Sequence, residues 1–318
     1  MCLLGSSVIR KVAASLFAIA LSGCFSVPVA QQAMQFDSPG ILSPTSPFCE
    51  AIPEPSVHGA NQDTGLDPDR IRILTWNVHK GANAGWLTDL AGFGAENDII
   101  LIQEARLSDP LRNVLHDDDL HWTLAEAFRF RSFDTGVLTA ARVRADHVCM
   151  LRAMEPITRI PKAVVMTSYP ISHSFESLLV VNVHAVNFTL GTTRLREQLE
   201  AVADVLARHS GPVLLAGDFN TWSAARRRAV DAIALRLGLQ ALSLDPDERS
   251  RFLGQPVDQM YYRGLIPSSA LAVRVRSSDH NPVSAVFRLA DRTVSPRLGR
   301  ENFVDPRMFS ETASQGSE

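Results

Sequence analysis

The run Pro212-Val213-Leu214-Leu215-Ala216 passes without a break into Gly217-Asp218-Phe219-Asn220. A short apolar run bounded by turn residues is expected to be a strand buried on both faces. Gly217 lets the backbone turn or come close to a neighbour. Asp218 and Asn220 stand where the strand stops, two residues apart, so their side chains share one side if the chain stays extended. Neither packs well. Both are placed to hold a water, a phosphate or a metal-bound ligand, or else to cap the helix that follows.

Other strands end the same way. Ile71-Arg72-Ile73-Leu74-Thr75-Trp76-Asn77 runs into Val78-His79-Lys80-Gly81, and Asp98-Ile99-Ile100-Leu101-Ile102-Gln103 closes on Glu104. Leu178-Leu179-Val180-Val181-Asn182-Val183 closes on His184, a strand near 257–262 carries Asp258, and Asp279-His280 precedes the last strand, 283–289. Shorter strands are expected near 122–127, 135–140, 147–151 and 163–168. Helices are expected over 86–93, over 192–209, where Leu195, Leu199, Val202 and Leu206 form one stripe, and over 223–237, with Ser223 as N-cap. Arg226-Arg227-Arg228 reads as a solvated helix face and Asp117-Asp118-Asp119 as a surface loop.

Recurrent polar groups at strand ends imply loops converging on one pocket. Glu104 and Asp279 are hard oxygen ligands suited to Mg²⁺ or Mn²⁺. The chain shows no Cys/His cluster with zinc spacing, no Gly-x-Ser-x-Gly elbow and no Gly-Lys-Ser/Thr phosphate loop. Covalent serine catalysis and P-loop nucleotide hydrolysis are therefore poorly supported.

Thr75-Trp76-Asn77, Ile102-Gln103-Glu104, Val183-His184-Ala185-Val186-Asn187, Gly217-Asp218-Phe219-Asn220 and Ser278-Asp279-His280 occur in the order of the endonuclease/exonuclease/phosphatase superfamily, which this chain resembles from about 71 to 289. The resemblance implies a four-layer α/β/β/α sandwich, two mixed sheets flanked by helices with the site at one edge. It implies Glu104 as metal ligand with Asn77 close by and Asp279 contributing. It makes Asp218 and Asn220 the pair that orients water and a phosphate oxygen, and pairs His280 with Asp258. Either Asp218 or His280 would take the proton from water. His184 would stabilise phosphoryl oxygens or protonate the leaving oxygen. His79, Lys80 and Asn187 are further candidates for substrate contacts. The implied activity is divalent-metal-dependent hydrolysis of a phosphodiester, nuclease-like, with a sphingomyelinase- or phospholipase-C-like enzyme and an inactive envelope binding module as alternatives. The substrate would be nucleic acid or a phospholipid head group; no protein partner is expected.

At the N-terminus, Arg10-Lys11 precede an apolar run too short to span a bilayer as a helix. It ends in Leu21-Ser22-Gly23-Cys24, which resembles a bacterial lipobox and implies a lipid anchor on Cys24. Secretion with cleavage after Ala30 is the rival. Phe25 after the cysteine resembles outer-membrane lipoproteins, so the expected location is the bacterial cell envelope. The expected organisation is a signal peptide over 1–23, a Pro- and Ser-rich tether over 24–69, the catalytic domain over 70–290 and a polar tail over 291–318. The formal net charge is −3, and removing the leader makes it more negative by two, so bulk charge does not support non-specific nucleic-acid binding. Cys49 and Cys149 are left either as a disulfide or as two thiols; sequence does not supply the geometry.

Overall fold

The computed structural model describes residues 25–27, 33–37, 41–45, 49 and 64–290. The strands begin with β1 (Phe25–Ser26), β2 (Ala33–Asp37), β3 (Ile41–Thr45), β4 (Ile71–Asn77) and β5 (Ile99–Arg106). They continue with β6 (His121–Phe130), β7 (Phe133–Ala141), β8 (His147–Met154), β9 (Pro161–Pro170), β10 (Ser177–His184) and β11 (Val213–Asp218). The last are β12 (Gln240–Ala241), β13 (Arg251–Phe252), β14 (Gln255–Pro256), β15 (Asp258–Arg263), β16 (Leu265–Ala272) and β17 (Val283–Leu289). Among the described residues four α-helices join them, α1 (Trp86–Glu96), α2 (Asp109–Asp117), α3 (Thr193–Leu206) and α4 (Ala224–Arg236), with a short 3-10 turn at His79–Gly81.

Among the described residues two large mixed sheets result, with β13 and β14 as a separate two-stranded hairpin. One runs β16-β17-β4-β5-β7-β6-β2-β3, with β1 also on β6, and the other runs β12-β15-β11-β10-β9-β8. Period-two alternation sorts the apolar residues of each strand into separate cores. Ile71, Ile73, Ile99 and Leu101 meet Leu178, Val180, Leu214 and Ala216 between the sheets. On the far side of the first sheet, Leu74, Trp76, Ile100 and Ile102 pack under Trp86 and Leu90 of α1 and Leu111 and Leu115 of α2. On the far side of the second, Val181, Val183 and Leu215 lie under Leu199 and Val202 of α3 and Val230 and Ile233 of α4. This is the four-layer α/β/β/α sandwich that the family resemblance implies. No helix among the described residues is long and apolar enough to cross a membrane.

The sheets are also pinned by polar contacts beneath the site. Gln103 Nε2 donates to Thr75 Oγ1 at 3.1 Å and to Asn182 Oδ1 of the other sheet at 2.6 Å. Asn182 Nδ2 crosses back to Leu138 O at 2.9 Å. Both amides are wholly buried, and the bonds they donate specify how the two layers register.

The topology decides where the strand-end residues go. The pairs β4–β5 and β10–β11 are parallel, so Asn77 and Glu104, and likewise His184 and Asp218, end at one edge. The antiparallel partner β15 starts there, with Asp258 opposite Asp218. The loop before β17 brings Asp279 and His280 to the same edge.

Two features depart from expectation, and one open alternative is decided. Part of the stretch read as a tether pairs with the fold: β2 adds to β6 and β3 to β2, which continues a ladder that would otherwise end at β6. Pro44 lies on β3, the outermost strand, where a missing N–H is tolerated. Cys49 is bonded to Cys149 on β8, with Cα atoms 5.2 Å apart. Helix α2 and strand β16 were not anticipated; Ser108, Pro110 and the Leu111/Leu115 spacing carry the helix signal. The leader, Cys24 and the tail over 291–318 lie outside the described residues.

Candidate active site

Backbone geometry aims the functional side chains. Strand β5 carries a bulge between Ile102 and Ala105, and within it Glu104 takes a left-handed φ of 53°. A bulge re-aims a side chain that regular alternation would send elsewhere. Gly217 has φ 136°, and a Cβ there would lie 2.1 Å from Val183 O, so glycine alone lets β10 and β11 close up beside the site. Asn220, at φ 51°, turns the chain just after Asp218.

The side chains then meet in a cleft of about 310 Å³ lined by Asn77, Glu104, His184, Asp218, Asn220 and His280, among others. Asn77 Nδ2 donates to Asp218 Oδ2 at 3.0 Å, while Asn77 Oδ1 accepts the His79 backbone N–H at 3.0 Å. Asp218 Oδ1 accepts the Asn220 backbone N–H at 2.9 Å, and Asn220 Nδ2 donates to Ala185 O at 3.0 Å. His280 Nδ1 lies 2.8 Å from Asp258 Oδ2. Trp76 Nε1 donates to His280 O at 2.9 Å, and Ser278 Oγ donates to Asn77 O at 2.6 Å, which fix the loop bearing His280. Gln259 and Met260 beside Asp258 do not disturb this pair. Asp279 is more than half exposed and faces His79 Nδ1 at 3.6 Å.

Glu104 sits among cations. Lys80 Nζ contacts its Oε2, Lys162 Nζ lies 3.8 Å from its Oε1, and His184 Nε2 lies 3.8 Å from the same oxygen. His184 Nε2 also lies 2.8 Å from Lys162 Nζ and 3.5 Å from Asp218 Oδ2.

These contacts divide the titrating groups. Burial would raise Glu104, but the charges of His184, Lys80 and Lys162 outweigh it and hold the carboxyl at about 2. Burial pushes the His184 imidazole well below 6.5, Lys162 adds to the push and Glu104 opposes it. With His184 neutral, the pull on Glu104 falls to the two lysines. Burial raises Asp218 to about 6, against the attraction of His280 and with the repulsion of Asp258. Burial disfavours the His280 cation, yet Asp258 overrides it and raises His280 to about 10.

Three contributors escaped the sequence. Lys162, at the start of β9, has no motif; its role follows from β9 pairing antiparallel to β10, which brings it to His184. Arg226 is not on a solvated face. It is buried, donating to Asn220 O at 2.7 Å and Thr189 Oγ1 at 3.0 Å, contacting Val186 O as well, with its guanidinium over the Trp222 ring. Buried Glu155 accepts the Asn187 N–H at 2.6 Å, while Asn187 Oδ1 accepts Trp222 Nε1 at 2.9 Å, so the Asn187 side chain has a structural partner.

Of the oxygen donors, Asp218 and Asp258 have ligand atoms within 4.8 Å of one another and of His280. That trio is a poor cation site, because an imidazolium paired with Asp258 has no free lone pair. Glu104 fits better. Its carboxylate already carries a stand-in cation, the half-exposed Lys80 ammonium, and Asn77 and Asp279 add oxygens to the same cleft.

A profile of the endonuclease/exonuclease/phosphatase family matches residues 74–280. The chain belongs to that family. Its members are metal-dependent phosphoesterases. A UPF0294 protein of Yersinia enterocolitica is 39% identical over 221 residues, covering 69% of this chain and 84% of the relative. A family member from Beutenbergia cavernae shares the fold with a TM-score of 0.58 at 16% identity, over 70% of this chain and 72% of that one. The human nocturnin catalytic domain, solved with sulfate, superposes with a TM-score of 0.53 at 16% identity, over 71% and 96% of the two chains. ANGEL2, a 2′,3′-cyclic phosphatase solved with adenosine-2′,3′-vanadate, gives 0.54 at 14% identity, over 70% and 96%.

Proposed function

We propose that the cleft hydrolyses a phosphodiester by water attack, with a divalent cation, Mg²⁺ or Mn²⁺, held by Glu104 together with Asn77 and Asp279. The observation that carries this is the convergence of Glu104, Asp218, Asn220, His184 and the Asp258–His280 pair on one small cleft. The cation, when bound, would neutralise charge on the phosphoryl oxygens. Asp218, raised to about 6, is ionised at neutral pH yet basic enough to accept a proton from water. Asn77 and the Asn220 N–H fix its two oxygens, so the base is oriented before substrate arrives. His280, kept cationic by Asp258, donates to a phosphoryl oxygen rather than serving as base. His184, held neutral, is a poor proton donor; it orients Lys162, whose ammonium supports the transition-state charge.

The cell-envelope location is proposed on the lipobox at Cys24, with the outer membrane indicated by Phe25. The Cys49–Cys149 bond supports an oxidising compartment.

Hydrolysis of an aryl phosphodiester tests the chemistry, with and without Mg²⁺ and chelator. Chelation is expected to abolish turnover, and Asp218→Ala and His280→Ala each to lower kcat by at least about a hundredfold. Activity unchanged by chelator, or retained in full by both variants, would sink the mechanism.

A further inference from the structure

Eleven large apolar side chains are exposed among the described residues, and six of them, Phe133, Ile157, Phe188, Leu190, Phe252 and Leu253, stand in or beside turns at the cleft edge. Scattered exposed apolar residues need no explanation, but a cluster of them at the sheet edge that holds the cleft, with Phe188 lining the cleft itself, does. The two furthest out are the least expected. Leu190 is 92% exposed at the tip of the loop after β10. Leu253 is 73% exposed and, with Gly254, forms the two-residue turn of the β13–β14 hairpin at φ 49°. Such a turn favours Asn or Gly at both positions, so a leucine there is disfavoured by both backbone and water.

The same turns carry cations. Exposed Arg131 occupies the β6–β7 turn beside Phe133, and exposed Arg159 the β8–β9 turn beside Ile157. The buried acid of the second turn, Glu155, is already engaged by Thr158 and the Asn187 N–H. Apolar tips interleaved with arginine suit an anionic lipid interface, where side chains enter the acyl boundary and cations meet head groups. Nucleic acid would favour stacking surfaces, and half of these tips are aliphatic.

The N-terminus points to the same surface. In β1, Phe25 pairs with Phe130, the residue before Arg131 in the β6–β7 turn. Cys24, the lipidation candidate, is one peptide link from Phe25, about 3.8 Å along the chain. A lipid on Cys24 is therefore tied to the chain next to the cleft edge.

We infer that this edge docks on a phospholipid bilayer, its apolar turns inserted around the cleft mouth, and that the cleft takes the phosphodiester of a lipid head group. The docking rests on the lipobox and the surface; the substrate clause rests on the phosphodiester hydrolysis proposed above.

The test uses the full lipidated chain in vesicles of phosphatidylethanolamine and phosphatidylglycerol doped with brominated phosphatidylcholine. Leu190→Trp and Leu253→Trp report on the cleft edge, and Phe175→Trp reports on the turn between β9 and β10 at the opposite edge. Bromine is expected to quench the added fluorescence of the first two and to leave that of Phe175→Trp intact. Equal quenching at all three positions, stronger quenching at Phe175→Trp, or failure of the chain to float with vesicles overturns the docking. In a second arm, Leu190→Asp with Leu253→Asp is expected to lower hydrolysis of vesicle phospholipid by about tenfold or more while turnover of a soluble aryl phosphodiester is unchanged. Equal rates on both substrates for parent and variant, or faster turnover of single-stranded DNA than of vesicle lipid by the parent, overturns the lipid assignment. A parent inert on every diester, with the edge still quenched, sinks the hydrolysis alone and upholds the docking.

Discussion

Asp218 and His280 are the two candidates for the base in the proposed mechanism, and their surroundings separate them. Asp218 is buried beside Asp258 and rises to about 6, whereas His280 is held protonated to about 10. The catalytic base must be unprotonated, so activity should fall as pH drops through its pKa. We expect log kcat/KM to rise with unit slope up to about pH 6 and then level off. Were His280 the base, the rise would continue to about pH 10. A pH–rate profile of the metal-loaded enzyme distinguishes the two. Lys162 offers a second check at this scale. Its ammonium is largely buried against His184 and Glu104, so Lys162→Met should lower kcat by about a hundredfold with a smaller change in KM, as steady-state kinetics would show.

At the scale of elements, the site depends on how closely strands and loops approach. Gly217 sits where β10 and β11 meet with no room for a Cβ, at a φ that other residues avoid. Gly217→Ala should destabilise the fold by more than about 2 kcal/mol, seen as a lower urea midpoint. Arg226 ties α4 to the loops after β10 and β11 through Asn220 O, Thr189 Oγ1 and Val186 O. Arg226→Met leaves those acceptors unpaired, and a loss of about 3 kcal/mol is expected. Circular dichroism melts would measure it; an unchanged melting temperature would mean that the buried guanidinium holds nothing together.

For the molecule as a whole, the notable departure from expectation is the N-terminal segment. Residues read as a free tether add strands beyond β6 and are bonded through Cys49 to Cys149. The bond closes a loop of 100 residues, so replacing both cysteines with serine should lower stability by about 2–4 kcal/mol. Denaturation with and without reductant checks this; a variant as stable as the oxidised parent would show the bond to be idle. The same attachment ties Phe25 to the β6–β7 side of the cleft, so with the proposed lipid on Cys24 the orientation at a membrane would follow from the fold rather than from a flexible linker.

Apolar runs such as Val213–Ala216 and Leu178–Val183 already require strands covered on both faces, and the polar residue closing each run is visible without coordinates. That made Glu104, His184 and Asp218 visible as strand-end groups, because burial and period depend on neighbours a few residues away, whereas the layered architecture and the place of His280 came from the order of motifs shared with the family. Lys162 and the burial of Arg226 were not legible, since each depends on a partner brought in by sheet pairing or by a loop folding over a helix. Nor could sequence choose between base and cation for His280. A pKa depends on burial and on charges a few ångströms away, and those distances exist only once β4, β11 and β15 share an edge.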